Sequence, residues 1–118
     1  MTTAPEYQSF AVMSGDQVQL DFTVTDNDGA VVNLSGGTGR FAMARNANAS
    51  PVIDSDASPQ TAVITVTGAA SGLVNVVITD EDTDALKGDY YWEFKWTDAA
   101  GREVVVARGV MTFNVNLT

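Results

Sequence analysis

Four aromatic side chains at alternate positions, Tyr90, Trp92, Phe94 and Trp96, narrow the choice of folds for this chain more than any other feature. A period of two puts all four on one face of an extended strand, whereas a helix would scatter them around its axis. Each ring carries roughly 150–250 Å² that gains by leaving water. Such a row needs an opposing apolar layer, so it predicts the central strand of a β-sheet core.

Other segments supply that layer. Residues 17–25 alternate without a break, Val18, Leu20, Phe22 and Val24 against Gln19, Asp21 and Thr23, the pattern of a half-buried strand. The run ends at Asp26-Asn27-Asp28-Gly29, where glycine suits a tight hairpin. A second strand is expected over 30–34, with Ala30, Val32 and Leu34 sharing a face. After Ser35-Gly36-Gly37-Thr38-Gly39, residues 40–45 read as a strand with Phe41 and Met43 on one side, and 62–67 and 73–79 as a hairpin turning through 68–72. Thr79 and Asp82 resemble a capping box with Asp in place of Glu, and acidic residues over 80–84 favour a helix start. One short helical turn is predicted there. Asp98-Ala99-Ala100-Gly101 turns the chain into a last run over 102–117, with a bulge expected at Arg108-Gly109 and Met111, Phe113, Val115 and Leu117 in register beyond it.

The count is seven or eight antiparallel strands with regular turn signals and no long helix, which predicts an all-β sandwich or barrel. An immunoglobulin-like β-sandwich is preferred, because Tyr90 follows Leu86 and Gly88 at the entry to the most aromatic strand, where its hydroxyl can reach back to backbone as a tyrosine corner. An eight-stranded jelly roll meets the same count. With 118 residues, the chain is expected to be a single domain over 1–118.

Composition restricts the chemistry. Cysteine and histidine are both absent, so Ser/His/Asp and Cys/His nucleophile arrangements and His- or Cys-based zinc sites are excluded. Fifteen acidic against six basic residues give a net charge of -9, which repels phosphate backbones and anionic lipid; neither nucleic acid nor membrane is expected as a partner. Residues 1–7 show no basic region followed by an apolar one, so no secretory signal is expected.

Each candidate site has a plainer explanation. Asp26-x-Asp28-Gly29 matches the middle of a calcium loop, but the first and twelfth positions fall on Val24 and Ser35, without carboxylates; a turn is the better reading. The run Asp80-Glu81-Asp82-Thr83-Asp84 reads as a solvated helix start. Trp92 and Trp96 could stack on sugar rings, yet their shared row with Tyr90 and Phe94 reads as core, with Glu93 on the opposite face. Outward Tyr91, Glu93 and Lys95 form a mixed polar face, equally a contact surface or a solvated one. The glycine-rich stretch 35–39 lacks the Walker lysine and reads as a flexible connection. No catalytic residue, metal or cofactor is expected. Residues 1–9 have little reason to pack and read as an N-terminal arm able to add a strand to a neighbour's sheet. The candidate contact residues are Thr2, Thr3, Ala4, Pro5, Glu6, Tyr7, Gln8, Ser9 and Phe10, and deleting residues 2–9 is expected to leave the fold intact.

The order of motifs resembles one family. Residues 16–29, ending in Asp26-Asn27-Asp28-Gly29, then Val32-Asn33-Leu34-Ser35-Gly36, Thr79-Asp80-Glu81-Asp82-Thr83, Leu86-Lys87-Gly88-Asp89-Tyr90-Tyr91-Trp92-Glu93-Phe94 and finally Arg108-Gly109, look like the N-terminal domain of bacteriophage baseplate upper proteins. The resemblance covers roughly residues 12–117. It implies a non-enzymatic virion structural protein, made in the bacterial host cytoplasm and located in the virion. A docking or accessory module of the tail or baseplate is the first reading, with other virion structural proteins as partners and homo-oligomers in the particle. A capsid decoration protein over capsomer junctions is one alternative, and a carbohydrate-binding module using Trp92 or Trp96 is another.

Overall fold

In the computed structural model, which describes residues 6–26, 29–46, 48–57 and 60–114, almost every regular element is a strand. The strands are β1 (Glu6–Met13), β2 (Val18–Thr23), β3 (Thr38–Ala44), β4 (Ile53–Asp54), β5 (Val63–Gly68), β6 (Leu73–Ile78), β7 (Gly88–Thr97) and β8 (Glu103–Asn114). A 3-10 turn at Ala69–Ser71 links β5 to β6, and the helical turn expected near residue 80 is present as α1 (Asp80–Thr83).

The strands form two sheets, β1-β8-β7-β3-β4 and β2-β6-β5. Third, seventh and eighth strands share one sheet and second, fifth and sixth the other, which is the division of an immunoglobulin-like β-sandwich. All pairs are antiparallel except one. β1 leaves the sheet of β2 and runs parallel to β8, Glu6 beside Ala107 and Met13 beside Asn114, which corrects the expectation of antiparallel strands throughout.

The aromatic row is the floor of the core. Tyr90, Trp92, Phe94 and Trp96 are each at most 3% exposed. Trp92 meets Phe10 of β1, Phe22 of β2 and Phe41 of β3 at ring centroid distances of 5.8, 5.9 and 5.7 Å, and Phe22 stacks on Phe94 at 4.9 Å. One indole therefore ties three strands from both sheets, each ring pair adding about 0.5–1.5 kcal/mol beyond its buried area. Above it lie Val18, Leu20 and Phe22 of β2 and Val74, Val76 and Ile78 of β6, all buried.

Local chemistry explains the turns. Lys87 donates its backbone N–H to the Tyr90 hydroxyl at 3.3 Å, the tyrosine corner anticipated from the sequence, and the Arg45 guanidinium lies 4.1 Å from the centre of the Tyr90 ring. Asp98 accepts the backbone N–H groups of Ala100 and Arg102, both at 2.9 Å, and Gly101 takes φ +86° to close the β7–β8 hairpin. These backbone donors, that of Arg102 foremost, hold the Asp98 carboxyl below its ordinary value.

Four local expectations need correction. The strand over 30–34 does not form; a single bridge, Thr25 to Val31, stands in its place. The Asp26 N–H bonds the Ala30 carbonyl and the Val32 N–H the Val24 carbonyl, but the Val24 N–H bonds Gly72 and the Leu34 N–H bonds Ala69, so the pairing goes no further. The capping box is also inverted: Thr79 donates its hydroxyl to the Asp82 carboxylate at 2.9 Å, and no side chain caps α1. The glycine-rich connection is a fitted lid rather than a flexible link. A Cβ on Gly37 would meet the Trp96 Nε1 and the Thr97 carbonyl oxygen, each at 2.7 Å, and one on Gly39 would press on Phe94 and Trp96 at 3.0–3.2 Å.

The β-bulge lies earlier than Arg108-Gly109, where the β7 partner steps from Ala107 to Val105. Gly109 has another purpose. A Cβ there would fall on the Gln8 carbonyl oxygen and within 2.6 Å of the Gln8 carbonyl carbon, so only glycine lets β1 lie this close. Val115 and Leu117 lie outside the described residues.

Candidate interaction surface

The N-terminal contact residues occupy different ground from that expected. Thr2, Thr3, Ala4 and Pro5 lie outside the described residues. Glu6, Tyr7, Gln8, Ser9 and Phe10 are not a free arm but the first five residues of β1, paired with residues 107–111 of β8. Phe10 is half-buried against Trp92. Deleting residues 2–9 would thus remove four ladder residues along with any arm, so the expectation of an intact fold is withdrawn. Physically, Phe10 and Val12 have an apolar shelf on their own molecule, and both pack against the core.

The outward face of the five-stranded sheet is more informative. Because Phe41 and Met43 of β3 point inward, Ala42 and Ala44 point out, beside Glu93 and Tyr91 of β7, their ladder partners. Next to these on β8 stand Arg108, opposite Glu93, and Val110, opposite Tyr91. Small residues beside a large one leave relief: Tyr91 is 57% exposed, and next to it opens a hollow of about 560 Å³. Ala42, Ala44, Ala49 and Pro51 make the hollow largely apolar, with Glu93 and Arg108 also in its lining.

Charge on this face is arranged in a definite way. Arg40 grips Asp54 through two hydrogen bonds, 2.8 and 3.2 Å, with Asp56 at 3.5 Å. That grip, chiefly the Arg40 hydrogen bond, lowers the Asp54 carboxyl below its ordinary value against the opposing effect of burial. Glu93 pairs with Lys95, two residues along the same strand, at 3.5 Å. Arg108, exposed, makes no ion pair among the described residues.

Tyr91, Glu93 and Lys95 are thus the mixed outward face read from the sequence, now with a shape. Ala42, Ala44 and Arg108 escaped that reading. The available signal was indirect: two alanines alternating with inward Phe41 and Met43 mark a face with little side-chain volume.

The other candidates resolve on geometry. Asp26 spends a carboxylate oxygen on the Ala30 N–H at 3.0 Å and Gly29 takes φ +81°, the turn reading; Asp28 lies outside the described residues. Among the described residues no group of three His, Cys, Asp or Glu side chains could hold a metal ion. Trp92 and Trp96, each 2% exposed, offer no ring to a sugar, so the carbohydrate-binding alternative loses the residues on which it stood. Among the described residues their indole N–H groups have no hydrogen-bond partner, a cost of roughly 1–3 kcal/mol each. No helix among the described residues is long and apolar enough to cross a membrane.

Comparison with known proteins assigns no family. No family model matches the chain, and no curated protein matches it. Among solved structures it is similar to the Lin-41 filamin domain, at 11% identity and a TM-score of 0.46, covering 97% of this chain and 90% of that one. It is also similar to murine CRIg, at 13% identity and a TM-score of 0.39, covering 98% and 97% of the two chains. The sandwich assignment itself stands on the strand order of the two sheets.

Proposed function

We propose that this chain is a non-enzymatic structural protein of a bacteriophage virion, a small docking or accessory module of the tail or baseplate that works through protein contacts. The resemblance of the motif order to that of baseplate upper proteins motivates the setting. The observation that carries the contact role is the outward face of the β1-β8-β7-β3-β4 sheet, with its 57% exposed tyrosine beside an apolar hollow. Exposed aromatic anchors bordered by polar groups are what protein interfaces use, and tyrosine and arginine are enriched at their energetic centres. The partners are other virion structural proteins.

Mass spectrometry of purified particles tests this reading. A low copy number in step with tail symmetry supports the tail or baseplate module. A copy number that scales with capsomers moves the chain to the capsid-decoration alternative, and absence from particles overturns the virion assignment. Incorporation of a Tyr91→Asp variant reports whether the sheet face makes the contact.

A further inference from the structure

The tyrosine and the hollow stand side by side on one surface, and that adjacency has a symmetry consequence. A two-fold axis between them carries each copy's protruding ring over the other's recess. In an isologous contact, residue i meets j and j meets i, so a knob next to its own hole is self-complementary. Charge repeats the pattern. Glu93 and Arg108 face each other across the β7–β8 ladder, yet among the described residues Glu93 forms an ion pair with Lys95 alone and Arg108 forms none. Across a two-fold, Arg108 of each copy can meet Glu93 of the other, giving two reciprocal ion pairs.

We propose that the outward face of the five-stranded sheet is a two-fold self-association surface. A second copy of this chain seats its Tyr91 in the hollow floored by Ala42 and Ala44 and sets its Glu93 against Arg108. The proposal rests on the contact role given to this face above and names its occupant.

Area and overall charge agree. The four long strands β1, β8, β7 and β3 have 8, 12, 10 and 7 residues. At about 3.3 Å per residue and 4.8 Å between strands they span roughly 600 Å² in plan, and side-chain relief brings this toward the ~800 Å² per partner of a standard interface. Two copies at -9 each repel one another, so a contact between them gains from a surface that brings its own cations. This sheet carries Arg40, Lys95 and Arg108 against Asp54, Glu93 and the Asp56 that pairs with Arg40, with Glu6, Asp89 and Glu103 at the ends of its strands. Half of the six cations are therefore on this face.

Sedimentation velocity on the full chain over a concentration series, at low and high salt, tests the proposal. The expected result is a monomer–dimer equilibrium at both salt concentrations. Tyr91→Asp should abolish the dimer. Arg108→Glu, which sets like charges together twice, should weaken it by at least about tenfold, and the doubly exchanged Glu93→Arg/Arg108→Glu should recover most of that loss. Circular dichroism confirms that each variant is folded, as expected for exposed positions. A wild type that stays monomeric, a species that grows past the dimer, or a double exchange no better than the single one would each overturn the inference. A monomeric wild type whose Tyr91→Asp variant still fails to enter particles would sink self-association while leaving the assembly role standing. A wild-type dimer broken by Tyr91→Asp, with incorporation undisturbed, would do the reverse.

Discussion

Replacing Gly109 by alanine should detach β1. The added Cβ has nowhere to go: the Gln8 carbonyl oxygen occupies its position, and the Gln8 carbonyl carbon and nitrogen lie 2.6 and 3.1 Å away. These are backbone atoms, so no rotamer change relieves the overlap. β1 must move off β8, and Phe10 and Val12, both half-buried on the core, move with it. Full burial of such side chains contributes about 1.5–3 kcal/mol each, so half of that for two residues is about 1.5–3 kcal/mol. The ladder bonds lost and the backbone freedom regained by eight residues act in opposite directions and largely cancel.

With some residual strain, the expected destabilisation is about 2–3 kcal/mol. At roughly 3–5 °C per kcal/mol for a domain of this size, the melting temperature should fall by about 6–15 °C. Differential scanning calorimetry measures that fall, and amide exchange locates it, with β1 losing protection while β2 and β6 keep theirs. Gly101→Ala is the matched control, because its left-handed φ of +86° costs an alanine about 1–2 kcal/mol but nothing lies within 4 Å of the new atom. The reasoning fails if Gly109→Ala melts no lower than Gly101→Ala with the β1 amides still protected.

Three further expectations follow from the same geometry. Gly37→Ala should push its segment off Trp96, costing about 1–3 kcal/mol by overpacking and shifting tryptophan emission to the red; unchanged emission and stability would show that the lid gives freely. Tyr90→Phe removes the acceptor for the Lys87 N–H and should lower stability by about 0.5–1.5 kcal/mol in urea titrations, with the spectrum of the aromatic core retained. Asp54 has its folded-state pKa below the unfolded value because Arg40 holds it, so its contribution is complete above the unfolded pKa and is lost as pH falls through the folded one. Wild type should therefore lose stability more steeply than Asp54→Asn as pH drops below about 4, and parallel acid melts of the two proteins would contradict the assignment.

The sequence revealed those parts of the fold in which one strand carries its own signal. The inward rows of β2 and β7 alternate strongly, and Tyr90 lies close enough to Lys87 for the corner to be read locally. β1 carries a weaker pattern, with Gln8 among its inward residues and Ser9 and Ala11 outside. Its partner, β8, lies about a hundred residues away along the chain. Residues 30–34 show the opposite failure: their alternation is clear, but the N–H groups of Val24 and Leu34 bond the 69–72 turn and stop the pairing after one bridge. At Arg108-Gly109 the glycine is legible but its purpose is not, because a close backbone approach and a bulge look alike in one dimension. The hollow was hardest to foresee, since alanine signals a face by the volume it leaves empty.

The parallel course of β1 on β8 also sets how the domain carries load. Glu6 and Asn114 sit at opposite ends of that pair, roughly 23 Å apart at the usual rise per residue, with eight register partners between them. Tension applied along the strands at those two points strains all eight partners in shear at once, where a hairpin pulled at its open end would peel one bond after another. Mechanical strength between the two ends therefore resides in one short ladder, and Gly109 allows that ladder to close.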